Sequence, residues 1–468
     1  MGGLFSLSHL HEASSFTRRY NKPSEESGLK LLLEVSSWVS LCFIFLVFFN
    51  GINAFANHSV GLIPSTDSLG RAEAITSAPN RTDALFYNPA SLPWQSVHIG
   101  IAGIEFSSDK DSIDKTEASS QSQQTSDESV LKDFYQKLNS EHPIEISSTA
   151  RLIQIVLPFV SVSSFAKAEA NSQKVRGTDA YHAMKTKFTM GLIAGLGFSI
   201  KRLSFGYSTY GLIKSSIESS PTEDQLSTIS NAIENNNFDE NTVPFRDFTR
   251  FYYGGARGSN AGVQWQLFDD NPSSIGIAVL NIGDTKFKKE TPFEREDVKE
   301  IEETLTEESQ VHNITLELPQ EIPQMLNAGI ALGYGKRDSI GKFRVALDYN
   351  DINGDVIENK LAASYELSLQ FPDKVALATS WPIYIDDDNH IYHMGLLGLS
   401  LFGGYRAKAY ATNGASLSLH FGMHHRLSLL KLELGGYHLI PLDQESPSES
   451  HYIETQGLKG QLALTFIF

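Results

Sequence analysis

Phe343-Arg344-Val345-Ala346-Leu347-Asp348-Tyr349-Asn350 decides the fold. Phe343, Val345, Leu347 and Tyr349 fall on one face, and Arg344, Ala346, Asp348 and Asn350 on the other. Apolar and polar residues that alternate in period two define a strand with two unlike sides. The pattern recurs on both sides of this stretch. Leu326, Ala328, Ile330, Leu332 and Tyr334 oppose Asn327, Gly329, Ala331 and Gly333. Leu361, Ala363, Tyr365 and Leu367 oppose Ala362, Ser364 and Glu366, and Ala415, Leu417, Leu419 and Phe421 oppose Ser416, Ser418 and His420. Upstream, Ala261, Val263, Trp265 and Leu267 oppose Gly262, Gln264 and Gln266, and Phe188 to Phe198 alternates with Thr189, Gly191, Gly195 and Gly197.

These segments run for about 9 to 13 residues, longer than the average soluble strand of about five or six. A tilted membrane strand needs about 9–11. In lipid an open sheet edge leaves backbone N–H and C=O groups unpaired, at several kcal/mol each. The expectation is therefore an all-β fold, a transmembrane antiparallel β-barrel of about 14 strands (12 to 16 allowed), with oil outside and small or polar groups inside. A mean hydropathy of −0.19 is too polar for a bundle of membrane helices and suits such a barrel.

Four polar connections interrupt the strands: Ser107–Ser148, Lys167–Lys185, Ser216–Arg250 and Asp284–Glu321. They read as surface loops, with short helices at Val130–Leu138 and Glu294–Glu307. Tight turns are expected at Lys201-Arg202, Asp269-Asp270-Asn271-Pro272, Asn353-Gly354 and Pro372-Asp373. Placing all long loops at one end fails unless a strand is added, for example by splitting Ile153–Phe165 at Pro158.

Ahead of the strands, Val35 to Ala56 carries no charge, basic residues precede it, and Ala54-Phe55-Ala56 offers a small-residue cleavage site. Residues 1–56 read as a secretory signal peptide, the apolar core being too short for the roughly 20 residues of a span. Cys42, the single cysteine, lies inside it, so the mature chain has no disulfide or thiolate-metal site. The last residues, Gln461 to Phe468, place Leu462, Leu464, Phe466 and Phe468 on one face. The terminal aromatics Phe466 and Phe468 read as a barrel-assembly signal.

Between leader and first strand stand Asp67-Ser68-Leu69-Gly70-Arg71-Ala72 and Thr82-Asp83-Ala84-Leu85-Phe86-Tyr87-Asn88-Pro89-Ala90-Ser91-Leu92. Pro89 fixes its own φ and pushes Asn88 out of the helical region, so a short helix over Asp83–Tyr87 stops there. Asn88 then serves as a turn residue, and Phe86 and Tyr87 present apolar surface to the lumen. The segment resembles the plug-to-first-strand region of the FadL-type outer-membrane transporter superfamily, which includes PorV-like proteins. Gly70, Arg71, Asp83, Phe86, Tyr87, Asn88, Pro89 and Ala90 carry that resemblance, while Ile75 to Arg81 departs from the family's small, acidic stretch. Gly262 to Gln266 with Ile275 to Asp284, and Ile322 to Gly329, are similar to later paired strands of the same family.

The resemblance implies 14 strands, a plug over residues 57–95, a barrel over 96–468, and passage of hydrophobic compounds such as long-chain fatty acids, in uptake or export. The location it implies is the outer membrane of a Gram-negative cell. The expected partners are outer-membrane lipid, a hydrophobic small molecule and the barrel-assembly machinery. The alternatives are a PorV- or TraF-like accessory of a secretion or conjugation machine, a polar-solute porin and, third, a secreted soluble β-protein.

A net charge of −17 argues against nucleic acid. His420, His424 and His425, with His438 further on, read as lumen or turn residues, and Asp386 to His390 as a solvated turn. Asp351-Ile352-Asn353-Gly354-Asp355 resembles a calcium loop, but its glycine is misplaced and no glutamate stands at the twelfth position, so a tight turn is expected. No metal, no cofactor and no nucleophile–base constellation is read, so no enzyme is expected.

Overall fold

The computed structural model describes residues 62–464 apart from 80–82, 96, 110–143, 174–182, 220–221, 223, 226, 229–230, 232–248, 270–271, 290–315, 336–340, 355–356, 358, 372–379, 386–390, 408, 424–429 and 443–454. The leader, the helices expected at Val130–Leu138 and Glu294–Glu307, Pro372-Asp373, the turn expected at Asp386 to His390, His424, His425, Phe466 and Phe468 lie outside the described residues.

Alternating residues form seventeen strands of one sheet. They are β1 His98–Asp109, β2 Ile144–Leu157, β3 Val160–Gln173, β4 Ala183–Ile200, β5 Leu203–Ser219, β6 Thr249–Gln266 and β7 Ser274–Leu280, then the short β8 Phe287–Lys288 and β9 Leu316–Glu317. After these come β10 Met325–Tyr334, β11 Gly341–Tyr349, β12 Leu361–Gln370, the short β13 Trp381–Ile385, β14 Ile391–Arg406, β15 Tyr410–Met423, β16 Leu430–Pro441 and β17 Thr455–Leu464. Fourteen of them close a ring of antiparallel neighbours: β7 pairs β10, β12 pairs β14, and β17 returns to β1 with Ile99 opposite Leu464. The expected 14-stranded barrel is thus the observed one. β8 and β9 continue the ladder beside the upper part of β6, where β7 is too short to reach, and β13 pairs only with the start of β14.

The split at Pro158 is present: β2 ends at Leu157 and β3 begins at Val160, with Phe159 at φ 84° in the turn. With that extra strand, the strand ends at Asp109 and Ile144, Gln173 and Ala183, Ser219 and Thr249, and Leu280 and Met325 all fall at one end of the ring. The two-residue turns 158–159 and 201–202 fall at the other, with His98 and Leu464. The loops are shorter than the polar composition predicts. β1 runs to Asp109, β2 starts at Ile144, β3 reaches Gln173, and β4 and β6 each have 18 residues. Ser, Lys and Glu there sit in ladder positions whose cross-strand partners, such as Glu169 opposite Lys187, suit charge.

Exposure separates the faces as the alternation requires. Leu196, Phe198, Trp265, Ile330, Leu367, Leu401, Leu434 and Leu458 are exposed on the outside. Ser204, Ser208, Asn260, Gln264, Asn327, Asp348 and His420 are buried on the inside. No described helix is long and apolar enough to cross a membrane, so any crossing is made by strands.

Candidate functional site: the lumen and the N-terminal segment

Residues 62–79 and 83–95 lie against the inner face of the ring. A helix α1, Thr66–Gly70, starts at Ser65, whose hydroxyl accepts from the Ser68 N–H while Ser68 Oγ accepts from the Ser65 N–H, a closed capping box. A second helix, α2 Ala84–Tyr87, stops at Asn88 in extended backbone, and Pro89 opens a 3-10 turn over Pro89–Trp94. Helix stop and Asn88 turn are as the Asn-Pro step predicts. Asn88 Oδ1 accepts from the Ala90 N–H at 3.1 Å, and its Nδ2 donates to the Thr76 carbonyl at 2.8 Å. One short amide thus ties two separate stretches of the segment.

Strands around the ring satisfy the segment's backbone. Ser208 Oγ donates to the Leu85 carbonyl at 2.9 Å, Gln264 Nε2 and Ser274 Oγ to the Ser77 carbonyl at 2.8 and 2.7 Å, and Ser364 Oγ to the Ala74 carbonyl at 3.1 Å. Thr412 Oγ1 donates to the Gly70 carbonyl at 2.7 Å, and Asp348 Oδ2 accepts from the Thr76 N–H at 2.5 Å. These contacts come from β5, β6, β7, β11, β12 and β15. A buried loop must have its polar backbone paired somewhere, and here the barrel wall supplies the partners.

Charges fix the other half. Asp67 pairs with Lys459, Arg71 with Glu366 at 3.5 Å, Glu73 with Arg406 at 3.2 Å, and Asp83 with Arg151 at 3.6 Å. Glu366 also pairs with Arg344. The Thr66 N–H and hydroxyl both donate to Glu105. Burial lowers the Arg71 pKa, against the pull of Glu366. Burial pushes the Asp83 carboxyl above its ordinary value, against Arg151 and the Ser65 hydroxyl. Burial also pushes the Tyr87 phenol well up, and the carboxylate of Glu73, 3.1 Å from its hydroxyl, adds to this.

The residues singled out by sequence therefore come together here. Gly70, Asp83, Phe86, Tyr87, Asn88, Pro89 and Ala90 are all buried among inward strand residues, and so is Arg71. Phe86 meets Phe165 edge to face at 5.6 Å between centroids, and the Arg151 guanidinium carbon lies 5.7 Å from its ring centre. Tyr87 is different from expectation: it offers its hydroxyl to Ser68 and Glu73 of its own segment rather than a bare apolar face. Sequence reading missed Glu73, Arg151, Arg406 and Lys459. Each cation lies on an inward, small-residue face, the one signal that marks it. The Asp351 stretch is a turn in which Asp351 Oδ2 accepts from the Ile357 N–H, and His420 packs edge to face on His393.

Toward the short-turn end, a cavity of about 950 Å³ opens below the segment. Polar and charged side chains dominate its lining, among the charged ones Arg71, Arg344, Glu366, Lys431, Glu433 and Lys459. On the loop side the segment instead packs into an apolar cluster with Phe165, Ile193, Leu212, Leu280 and Phe287.

No family model and no curated protein matches the chain. Among solved structures it is similar to a FadL homologue of Pseudomonas aeruginosa, at 10% identity and a TM-score of 0.42, over 89% of this chain and 100% of that one. It is also similar to the monoaromatic hydrocarbon channel CymD (10%, 0.38, 88% and 100%) and to the Pseudomonas putida toluene transporter TodX (9%, 0.38, 85% and 98%). The barrel stands on its own ring of strand pairs, independently of these distant likenesses.

Proposed function

We propose that the protein is an outer-membrane channel for hydrophobic or amphipathic compounds, with residues 62–95 as a plug that keeps the lumen shut at rest. The lipid-facing belt and closed ring support the membrane location. The single observation that carries the plug is the set of bonds from residues 70–85 to strands on opposite sides of the ring, from Ser208 to Thr412. A segment held all round its edge fills the bore.

Such a plug suits compounds that water-filled pores handle badly. An alkyl chain gains about 0.8 kcal/mol per buried methylene, so capture needs only an apolar surface, while release needs that surface to change. A segment held by hydrogen bonds and ion pairs can shift as a unit and alter it. Long-chain fatty acids fit this reading as one ligand class.

The test is conductance in planar bilayers. The intact barrel is expected to stay silent, and a chain lacking residues 62–95 to open steady ion steps. Steady steps from the intact barrel would mean an ordinary open porin and end this reading.

A further inference from the structure

Part of the sheet continues past the short-turn end of the ring. β12 ends at Gln370, opposite Gly398, yet β14 reaches back to Ile391 with β13 beside it. β16 starts at Leu430, opposite Phe421, yet β15 runs on to Met423. The extension is made of β13, the start of β14 and the end of β15. It lacks the closed ring that holds the other strands.

Two histidines share its inner face. His420 follows Ser416 and Ser418 along β15 and lies opposite Gly395, while His393 on β14 lies opposite Gly422. The two are diagonal neighbours across one ladder, and each faces a glycine. With no Cβ opposite either ring, both imidazoles fit into one space between the strands. Their ring centres are 5.7 Å apart with the planes at 72°. His393 is 7% exposed and His420 0%. Among the described residues, His393 Nε2 has no hydrogen-bond partner, a costly state for a buried polar nitrogen. Neither ring lines the cavity below the N-terminal segment.

Neutral imidazole is the commonest metal ligand. Two imidazoles that share one ion at about 2.0–2.1 Å per nitrogen have ring centres about 5–6 Å apart, the spacing seen here. Lys431, opposite His420 on β16, is paired with Glu433, so its charge is compensated. Among the described residues no group of three or more histidines, cysteines and carboxylates forms, so water completes the coordination.

We propose that His393 and His420 bind one divalent transition-metal ion, Cu(II) most tightly. Two imidazole nitrogens select this class over magnesium and calcium, which take oxygen ligands. The ion joins β14 to β15 beyond the ring and fixes the extension. The site stands apart from the channel reading and holds whether or not that reading does.

The experiment is copper titration of the untagged full barrel, folded in a neutral detergent at slightly alkaline pH and stripped of metal by a chelator. One Cu(II) per barrel is expected, with nitrogen hyperfine splitting from two imidazoles in its electron paramagnetic resonance spectrum. H393Q and H420Q should each weaken binding about tenfold or more, since even an outer-shell partner of a metal site is worth about 10–100-fold. H424Q/H425Q, which alters the histidines next along the chain, should leave affinity and spectrum unchanged. Heat-modifiable migration checks folding, and H393N or H420N replaces a glutamine variant that does not fold. No copper bound by the wild type, or a wild-type spectrum without nitrogen splitting, would overturn the site whatever the variants do. So would binding undiminished in either single variant, or binding lost in H424Q/H425Q.

Discussion

Gly206 on β5 lies directly beneath Pro89: a Cβ built at Gly206 would sit 2.2 Å from the Pro89 carbonyl oxygen and 2.3 Å from the Ala90 nitrogen. The barrel wall and the Asn88-Pro89 step thus meet backbone to backbone, and only glycine leaves the space. Gly262 is used the same way by Asn88, whose Oδ1 would fall 2.0 Å from a Cβ there. Gly206→Val should therefore push the segment off the wall. The expected cost is about 1–3 kcal/mol, the usual penalty of overpacking. Denaturant unfolding in phospholipid vesicles reads the loss, and limited proteolysis should cut the 62–95 region faster while the strands stay protected. A variant with wild-type stability and unchanged cleavage would show that the close approach does not exist.

Leu347 and Asp348 test the two faces of β11. Leu347→Arg places a cation toward lipid and should cost about 2–4 kcal/mol near the midplane. From alternation alone, Asp348 is a lumen position open to Asn or Ser. The structure adds that Asp348 is buried on that inner face and that its side-chain oxygen accepts from the Thr76 N–H, a bond that an Asn or Ser oxygen can still accept and an apolar side chain cannot. Asp348→Leu should leave that N–H unsatisfied, at about 1–3 kcal/mol. The two variants separate by readout: vesicle insertion falls for Leu347→Arg, while Asp348→Leu inserts normally and exposes its N-terminal segment to protease. Identical behaviour would mean the faces are misassigned.

The barrel was legible in the sequence because lipid and lumen impose a strict period of two, and Val345, Leu347 and Tyr349 obey it without exception. The strand count was legible once Pro158 was allowed to break a run. The ends of the strands were not: Glu169, Lys185 and Glu218 look like loop composition, yet each stands opposite a partner across the sheet. The Asn88-Pro89 turn could be read because its chemistry is local. The ion pairs could not, since Glu73 and Arg406 are 333 positions apart and only closure of the ring brings them together.

That pair makes a sharp energetic prediction. Glu73 and Arg406 are 3% and 1% exposed, so neither charge is solvated once its partner is removed. Arg406→Met should cost about 3–5 kcal/mol by stranding Glu73 in the interior. Adding Glu73→Gln should return a large part of that loss, since the pair's own desolvation offsets most of its attraction. A double-mutant cycle on vesicle unfolding measures the coupling. Additive single effects would show that the two side chains do not meet.

Asp83 gives a pH dependence whose sign is fixed. Burial raises its folded pKa above the ordinary 3.8, with Arg151 and the Ser65 hydroxyl opposing the shift. The folded chain therefore holds this proton more tightly than the unfolded chain does. Below pH 3.8 the carboxyl is protonated in both states and contributes no penalty. As pH rises from there through the folded pKa, the unfolded state ionises first, and stability falls until both states are charged. Asp83→Asn removes this slope. The amide keeps an oxygen for Ser65 but loses the charge facing Arg151, so the offset between variant and wild type carries no fixed sign. The slope does: stability of Asp83→Asn minus that of wild type should increase from pH 3.8 upward, then level off. Unfolding midpoints taken at half-unit steps up to neutral pH measure it. A difference that is flat or decreases with pH would mean that Asp83 is stabilised as the anion by Arg151, and that the ion pair outweighs burial at the centre of the segment.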